Sequence, residues 1–315
     1  MKQNRFSLFI QPIVNFIFMG RRIRKLSYDF NKFNKKYKKE IKKQNVIFFY
    51  KRIAFSSTES LIENSNREKK ITVSLTSYGG RIDDVYLVIE SLGLQTVKAD
   101  RIVLWLSKDE FSPETIPIML KRMEKRGLVI GYCEDLRSYK KIIPSLGKYP
   151  NDLIITADDD ILYPEYMIEK LYKEYLKEPN IIHCHRGHRI LFNEKGDLKP
   201  YRKWERDSFV LEKSLLIFPT SGGGVLYYPG CFPEEVANSE LFMELCPTAD
   251  DIWLKVMTLN KGIKCKIINS SRKWSDDNID ITVSNDIGLY GINKYQNDEQ
   301  MKNVFEYFKI KDLKD

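Results

Sequence analysis

From Ile71 onward, short apolar runs alternate with amphipathic segments, and that alternation constrains the fold more than any other feature of the chain. Ile71-Thr72-Val73-Ser74-Leu75, Arg101 to Leu106, Leu128 to Cys133 and Leu153 to Ala157 read as strands. Between them, Ile82 to Leu94 and Ser138 to Leu146 read as helices. So does a stretch opened by Ser112-Pro113-Glu114, with a capping residue and a proline at N1, and closed by Gly127. Strand, helix and strand in repetition imply an α/β fold: a mostly parallel, Rossmann-like sheet flanked by helices, with right-handed crossovers. A helix from Glu165 to Leu176 and a strand near Ile181-Ile182 follow, then a less regular half. The polar, turn-rich stretch from Ser270 to Asp298 reads as a mobile lid or a long surface connection.

At 315 residues the chain can bury a large core, and 43% hydrophobic and 12% aromatic content excludes wholesale disorder. Five cysteines with no C-x-x-C spacing point to reduced thiols in a cytosolic setting, against a disulfide scaffold or a zinc site. The net charge of +9 is uneven: residues 1–70 hold 18 Lys or Arg against 5 Asp or Glu, so the remainder is mildly acidic. The chain therefore divides into a basic helical extension, 1–70, and a domain, 71–315.

The extension opens with an apolar stretch, Phe6 to Met19, followed by Arg21-Arg22-Ile23-Arg24-Lys25. It is too short and interrupted to span a bilayer, which takes about 20 mainly apolar residues, and no small-residue cleavage site marks a signal peptide. An apolar stretch beside a polybasic run fits a segment lying on an anionic membrane surface. The competing reading is a solvated or packed helix with Lys-rich flanks, Lys32 to Lys43. No base-reading module is present, so no specific nucleic-acid partner is expected.

Three consecutive carboxylates, Asp158, Asp159 and Asp160, stand where the run Leu153 to Ala157 ends. Ligands collect outside the carboxyl ends of strands in parallel sheets, and Mn²⁺ or Mg²⁺ prefers carboxylate and phosphate oxygens, so the cluster reads as a site for a metal-bound phosphate. The alternative is a solvated turn capping a helix near Pro164.

Val73-Ser74-Leu75-Thr76-Ser77-Tyr78, Ser91-Leu92, Gln95-Thr96 and Ile102-Val103 resemble the opening of family 2-like glycosyltransferases of the GT-A fold, of the bacterial surface polysaccharide type. In that resemblance the Asp cluster takes the place of the D-x-D metal motif. Thr248-Ala249-Asp250-Asp251, before an apolar helix, looks like the acidic catalytic-base motif. The likeness covers roughly residues 71–260 and departs where Ser107-Lys108-Asp109 replaces the acidic end of the second strand.

The resemblance implies residues 71–160 as a nucleotide-binding half and 161–315 as an acceptor-binding half with a C-terminal lid. It implies Asp158 and Asp160 as metal ligands, with Asp159 beside the donor, and Thr76, Ser77 and Tyr78 against base and ribose. Arg81 and one of Lys140 or Lys141 would meet phosphate, and Asp251 would be the general base with Asp250 in reserve. The acid pair also fits an N-cap, and Trp253 fits either a sugar platform or the core. Ser221 to Gly224 would border the acceptor pocket or form a tight turn. His183 and His185 share a strand face and suit structural or acceptor-side roles more than metal ligation.

The expected activity is a metal-dependent, inverting transfer of a sugar from a UDP-linked donor to a glycan hydroxyl in surface polysaccharide biosynthesis, at the cytoplasmic face of a membrane. The rivals are a metal-dependent phosphoryl or nucleotidyl transferase and a non-enzymatic membrane-associated scaffold.

Overall fold

The computed structural model describes residues 5–268, 274, 277–281, 289–310 and 313, so much of the Ser270 to Asp298 stretch lies outside the described residues. Two compact units are present, Met1–Phe49 and Tyr50–Asp315. The first is helical along α1 (Arg5–Ser56), whose last turns belong to the second unit. Among the described residues no helix is long and apolar enough to cross a membrane.

The second unit runs β1 (Ile71–Thr76), α2 (Val85–Gly93), β2 (Arg101–Ser107), α3 (Ile118–Glu124), β3 (Leu128–Cys133), α4 (Ile143–Lys148) and β4 (Leu153–Thr156). It continues through β5 (Ile161–Leu162), α5 (Met167–Lys177), β6 (Ile182–Cys184), β7 (Gly187–Arg189), β8 (Ile217–Pro219) and β9 (Val225–Tyr227). α6 (Ser239–Leu245), α7 (Asp250–Asn260), β10 (Cys265–Ile267), β11 (Ile279–Asp280) and α8 (Leu289–Tyr307) complete it. Seven strands form one sheet in the order β10-β6-β9-β4-β1-β2-β3; β9 runs antiparallel to both neighbours and the other pairings are parallel. The expected α/β architecture, a mostly parallel sheet flanked by helices, is the one observed.

The central strands are buried on both faces, which is why their sequences are apolar almost throughout. Their few polar groups are paired. Ser74 and Ser145 meet hydroxyl to hydroxyl at 2.7 Å, and Trp105 Nε1 donates to the same Ser145 oxygen at 2.7 Å, tying α4 to β1 and β2. At the amino ends, Thr72 Oγ1 donates to Asp152 at 2.6 Å and the Ile71 amide donates to Asp100 at 2.9 Å. Arg126 donates to both oxygens of Glu90 at 2.7 and 2.8 Å, fixing α2 against the turn before β3.

Three helix boundaries differ from the sequence expectation. Ser112 opens a turn instead of a helix, and α3 begins only at Ile118, since Pro117 disfavours helical backbone at the residue before it. The segment before α2 is a 3₁₀ turn, Gly79–Asp83, that leaves β1 through Gly79 at φ +51. The Ser138 to Leu146 helix splits into a 3₁₀ turn, Arg137–Lys141, and α4, with Pro144 in the first turn of α4.

Candidate active site

β2 and β3 extend the sheet on one side of β1, and β4 joins on the other, so the order reverses between β1 and β4. Loops leaving two such strands diverge and open a crevice outside their carboxyl ends. The sequence places Ser77-Tyr78 at the end of β1 and Asp158-Asp159-Asp160 after β4. Because β9 is antiparallel, with Val225 paired to Thr156, the preceding Ser221 to Gly224 turn arrives at the same edge.

The three acids have different partners. Asp159 is buried and accepts from Ser77 Oγ at 2.6 Å and from Arg81 at 2.9 Å. Arg81 also donates to Asp160 at 3.0 Å, and its guanidinium lies 5.1 Å from the centre of the half-exposed Tyr78 ring. Asp158 accepts from Lys141 Nζ at 2.9 Å, and its backbone N–H donates to the Tyr163 hydroxyl at 2.8 Å. None of the three caps α5, whose N-cap is Tyr166 with no side-chain cap bond. Burial, then Asp158 and Asp159, push the Asp160 carboxyl up to about 7 against the pull of Arg81, and Asp280 on β11 adds to the push. Asp159 is also raised, by burial, which Arg81 and Ser77 oppose.

Lys141 is the hinge of the site. Its ammonium is 2.9 Å from Asp158 and 3.1 Å from Asp250 Oδ2, so it joins the acids following β4 to those opening α7. Burial works against its charge, but Asp158, Asp250 and Asp251 outweigh burial and hold it well above the usual lysine range. Lys140 turns elsewhere and pairs with Asp135. The turn carrying both lysines is docked on the segment before α7, with the Tyr139 hydroxyl donating to Cys246 O at 2.5 Å and Arg137 to Pro247 O at 3.4 Å.

Asp250 and Asp251 occupy the first turn of α7, where the helix dipole favours negative charge. The N-cap is Ala249, with no side-chain cap bond, so neither acid serves as the cap. Asp250 is buried and Asp251 keeps partial access to solvent. The Asp251 carboxylate accepts from the Ser221 amide at 3.2 Å and from the Ser221 hydroxyl. Burial and the neighbouring Asp250 push its pKa up to about 7, while Lys141 and Ser221 pull it down.

The glycine turn therefore touches both acid groups. Ser221 holds Asp251, and a Cβ at Gly222 would stand 3.2 Å from Asp158 Oδ2. Trp274 Nε1 donates to Gly222 O at 3.2 Å and the indole stacks on His185, ring centres 4.3 Å apart. The Ile281 amide donates to Asp160 O at 2.8 Å, so residues from the C-terminal stretch reach both rims of the crevice.

Other sequence candidates lie outside this cluster of charges. Thr76 Oγ1 donates to Trp105 O at 2.8 Å, and Trp253 is fully buried with Nε1 donating to Val236 O at 3.0 Å, which settles it in the core. His183 and His185 do share a face: their Nε2 atoms lie 2.9 Å from Glu178 O and Met167 O, at the two ends of α5. β6 ends at Cys184, and His188 belongs to β7, paired with β8, so the three histidines do not share one strand. Burial lowers the pKa of all three histidines, to about 4 for His185 and His188. Trp274 and Asp280 were not legible as site residues, since chain distance hides their approach; Tyr163, five residues from the Asp158 amide that it holds, was hidden by standing in an apolar run. Only the Gly-Gly-Gly run hinted that Ser221 would lie against ligand-binding groups.

No family model and no curated protein matches the sequence. Among solved structures, the chain is similar to a mannosyltransferase from Pyrobaculum calidifontis in complex with GDP-Man and Mn²⁺, at 12% identity over 85% of this chain and 73% of that one, TM-score 0.49. It is also similar to glucosyl-3-phosphoglycerate synthase from Mycobacterium tuberculosis in complex with Mn²⁺, UDP and phosphoglyceric acid, at 14% identity over 78% and 80%, TM-score 0.44. A third similar structure is the inositol-1-phosphate CTP transferase from T. maritima, at 10% identity over 76% and 98%, TM-score 0.39.

Proposed function

We propose that this protein is a metal-assisted glycosyltransferase that moves a sugar, with inversion, from a UDP-linked donor to a glycan hydroxyl. The observation that carries the reading is the position of Lys141, in contact with Asp158 on one side and Asp250 on the other. It makes the acids after β4 and the acids of α7 two walls of one site. Transfer chemistry of this kind needs both: one wall to hold a charged donor and the other to activate an acceptor.

A divalent ion fits the β4 wall. The raised Asp160 carboxyl marks a surplus of negative charge that a cation relieves, and Asp158 and Asp160 are the residues that would hold it. Among the described residues no group of three or more His, Cys, Asp or Glu is placed to bind a metal, so phosphate oxygens and water would complete the coordination. When bound, such an ion neutralises charge on the leaving diphosphate. Tyr78 offers an exposed ring to the base at the end of β1, Arg81 orients Asp159 and Asp160, and Lys141 adds positive charge between the walls. Thr76 and Ser77 act through the backbone they fix, because both hydroxyls are engaged internally.

Asp251 takes the acceptor proton. As the acceptor oxygen forms its bond to the anomeric carbon, the bond from that carbon to the diphosphate oxygen breaks on the opposite face, and the proton passes to the Asp251 carboxylate. Ser221 orients that carboxylate by two bonds, and Asp250, tied to Lys141, keeps the pair together. This chemistry belongs to surface polysaccharide assembly, at the cytoplasmic face of a membrane.

The test is thermal stabilisation and donor hydrolysis across a panel of nucleotide-sugars with and without Mn²⁺, in the intact protein and in Asp160→Asn. Stabilisation by one donor that requires Mn²⁺ and is lost in Asp160→Asn supports the reading. Turnover of a nucleoside triphosphate in place of every nucleotide-sugar would move the assignment to nucleotidyl transfer.

A further inference from the structure

Residues 21–43 carry eleven Lys or Arg against two acids, Asp29 and Glu40, and lie within the uninterrupted helix α1. None of residues 24–49 is buried. On this helix Leu26 is 68% exposed, Phe30 65%, Phe33 63%, Tyr37 57%, Ile41 43% and Phe48 65%. At 100° per residue these six fall within an arc of about 80°, and every Lys or Arg from Arg24 to Lys43 falls outside it. The Phe33 and Tyr37 rings stack along the stripe, 6.0 Å apart and 7° from parallel. A stripe of large apolar side chains standing in water, with cations on its flanks, is built for an apolar layer beneath an anionic one.

We propose that the stripe Leu26, Phe30, Phe33, Tyr37, Ile41 and Phe48 lies in the interface of an anionic phospholipid surface, with the surrounding lysines on the headgroups. This holds whatever group the active site transfers. Aromatic and aliphatic side chains partition into the boundary between headgroups and acyl chains, and lysine stems reach back to the phosphates. Surface charge on anionic lipid draws in the polybasic run. A second copy of the helix is a poorer occupant, because packing stripe on stripe would bring the lysine flanks of two like-charged helices together. The run preceding the stripe, Phe6 to Met19, is apolar, and its backbone is helical, so the chain entering the stripe has the same solvent preference.

The full chain is tested by sedimentation with vesicles of phosphatidylcholine, and of phosphatidylcholine with roughly 30% phosphatidylglycerol. Partition is expected to be at least about tenfold stronger on the anionic vesicles and to weaken as salt rises. The variant Phe30→Ser/Phe33→Ser/Tyr37→Ser is expected to lose about tenfold or more on anionic vesicles. Lys35→Gln/Lys36→Gln/Lys38→Gln/Lys39→Gln is expected to bind more weakly and to flatten the salt dependence. All four tryptophans, Trp105, Trp204, Trp253 and Trp274, belong to the second unit, so a fluorescence melt shows whether that unit stays folded in each variant. Equal partition on neutral and anionic vesicles, or unchanged partition of the Phe30/Phe33/Tyr37 variant, overturns the proposal. So does a soluble dimer that the same variant dissociates without vesicle binding, which assigns the stripe to a second copy. Retention on a double-stranded oligonucleotide in place of vesicles assigns the run to nucleic acid.

Discussion

Asp251 combines a raised pKa, partial solvent access and two bonds from Ser221 that fix its orientation. A base must be deprotonated to work, and burial and Asp250 have moved the Asp251 titration to about 7. Activity in kcat/KM should therefore fall as pH drops through about 7, the acid limb reporting the Asp250–Asp251 pair. The Ser221 hydroxyl favours the charged form, so Ser221→Ala should move that limb to higher pH while the fold survives. Asp251→Asn should lower kcat by roughly 10²–10⁴ with donor affinity little changed, as judged by donor titration of the inactive variant. An unmoved limb in Ser221→Ala would detach Asp251 from the proton transfer. The two acids could be picked out from Thr248-Ala249-Asp250-Asp251 alone. What holds each acid could not, because Asp250 pairs with Lys141 and Asp251 with Ser221, which lie 109 and 30 positions away in the chain.

Among the elements, strands were easier to read than helix starts. The central strands β1, β2 and β4 are buried on both faces and so announce themselves as apolar runs, and the edge strand β3, only partly buried, still matches its expected bounds. The start of α3 and the splits at Gly79–Asp83 and Arg137–Lys141 are set by Pro117, Gly79 and Pro144 and by what the turns dock against. The Arg137–Lys141 turn matters most, since it aims Lys141 into the crevice and Lys140 out of it, a choice that two adjacent lysines conceal. Lys141→Met should abolish turnover, and Lys140→Met should leave it within a few-fold, both read as kcat with the melt as a control. On the opposite rim, a Cβ at Gly223 would stand 2.5 Å from Arg186 Cβ and 2.8 Å from its backbone nitrogen, so the turn itself must move. Gly223→Ala should lose roughly 1–3 kcal/mol and reduce kcat by shifting Ser221 away from Asp251. Gly147→Ala, in α4 with nothing within 4 Å of the new Cβ, should be neutral or stabilise by about 0.5–1 kcal/mol.

In the molecule as a whole, the α/β order follows from the alternation that begins at Ile71, while the charge balance of the crevice appears only once the fold has closed. Four carboxylates, Asp158, Asp159, Asp160 and Asp280, come together there from two distant stretches of sequence, and among the described residues Arg81 pairs with Asp159 and Asp160 and Lys141 with Asp158. Asp160 has a folded-state pKa of about 7 against an ordinary 3.8, so it lends stability below about pH 4 and loses it as pH rises through about 7. Near pH 8 without metal the charged Asp160 is thus a liability. Asp160→Asn should then be more stable than the parent, by roughly 1–3 kcal/mol, with Arg81 still held by Asp159. The advantage should vanish near pH 4, where the parent carboxyl is protonated. Mn²⁺ should reverse the order at pH 8, raising the melting temperature of the parent more than that of the variant. Its effect on the parent should shrink at pH 6, where proton and metal compete for the same oxygen. Melting curves of both proteins at pH 4, 6 and 8, with and without Mn²⁺, separate a cation site from an acidic turn, because a turn gives no metal-dependent reversal at any pH.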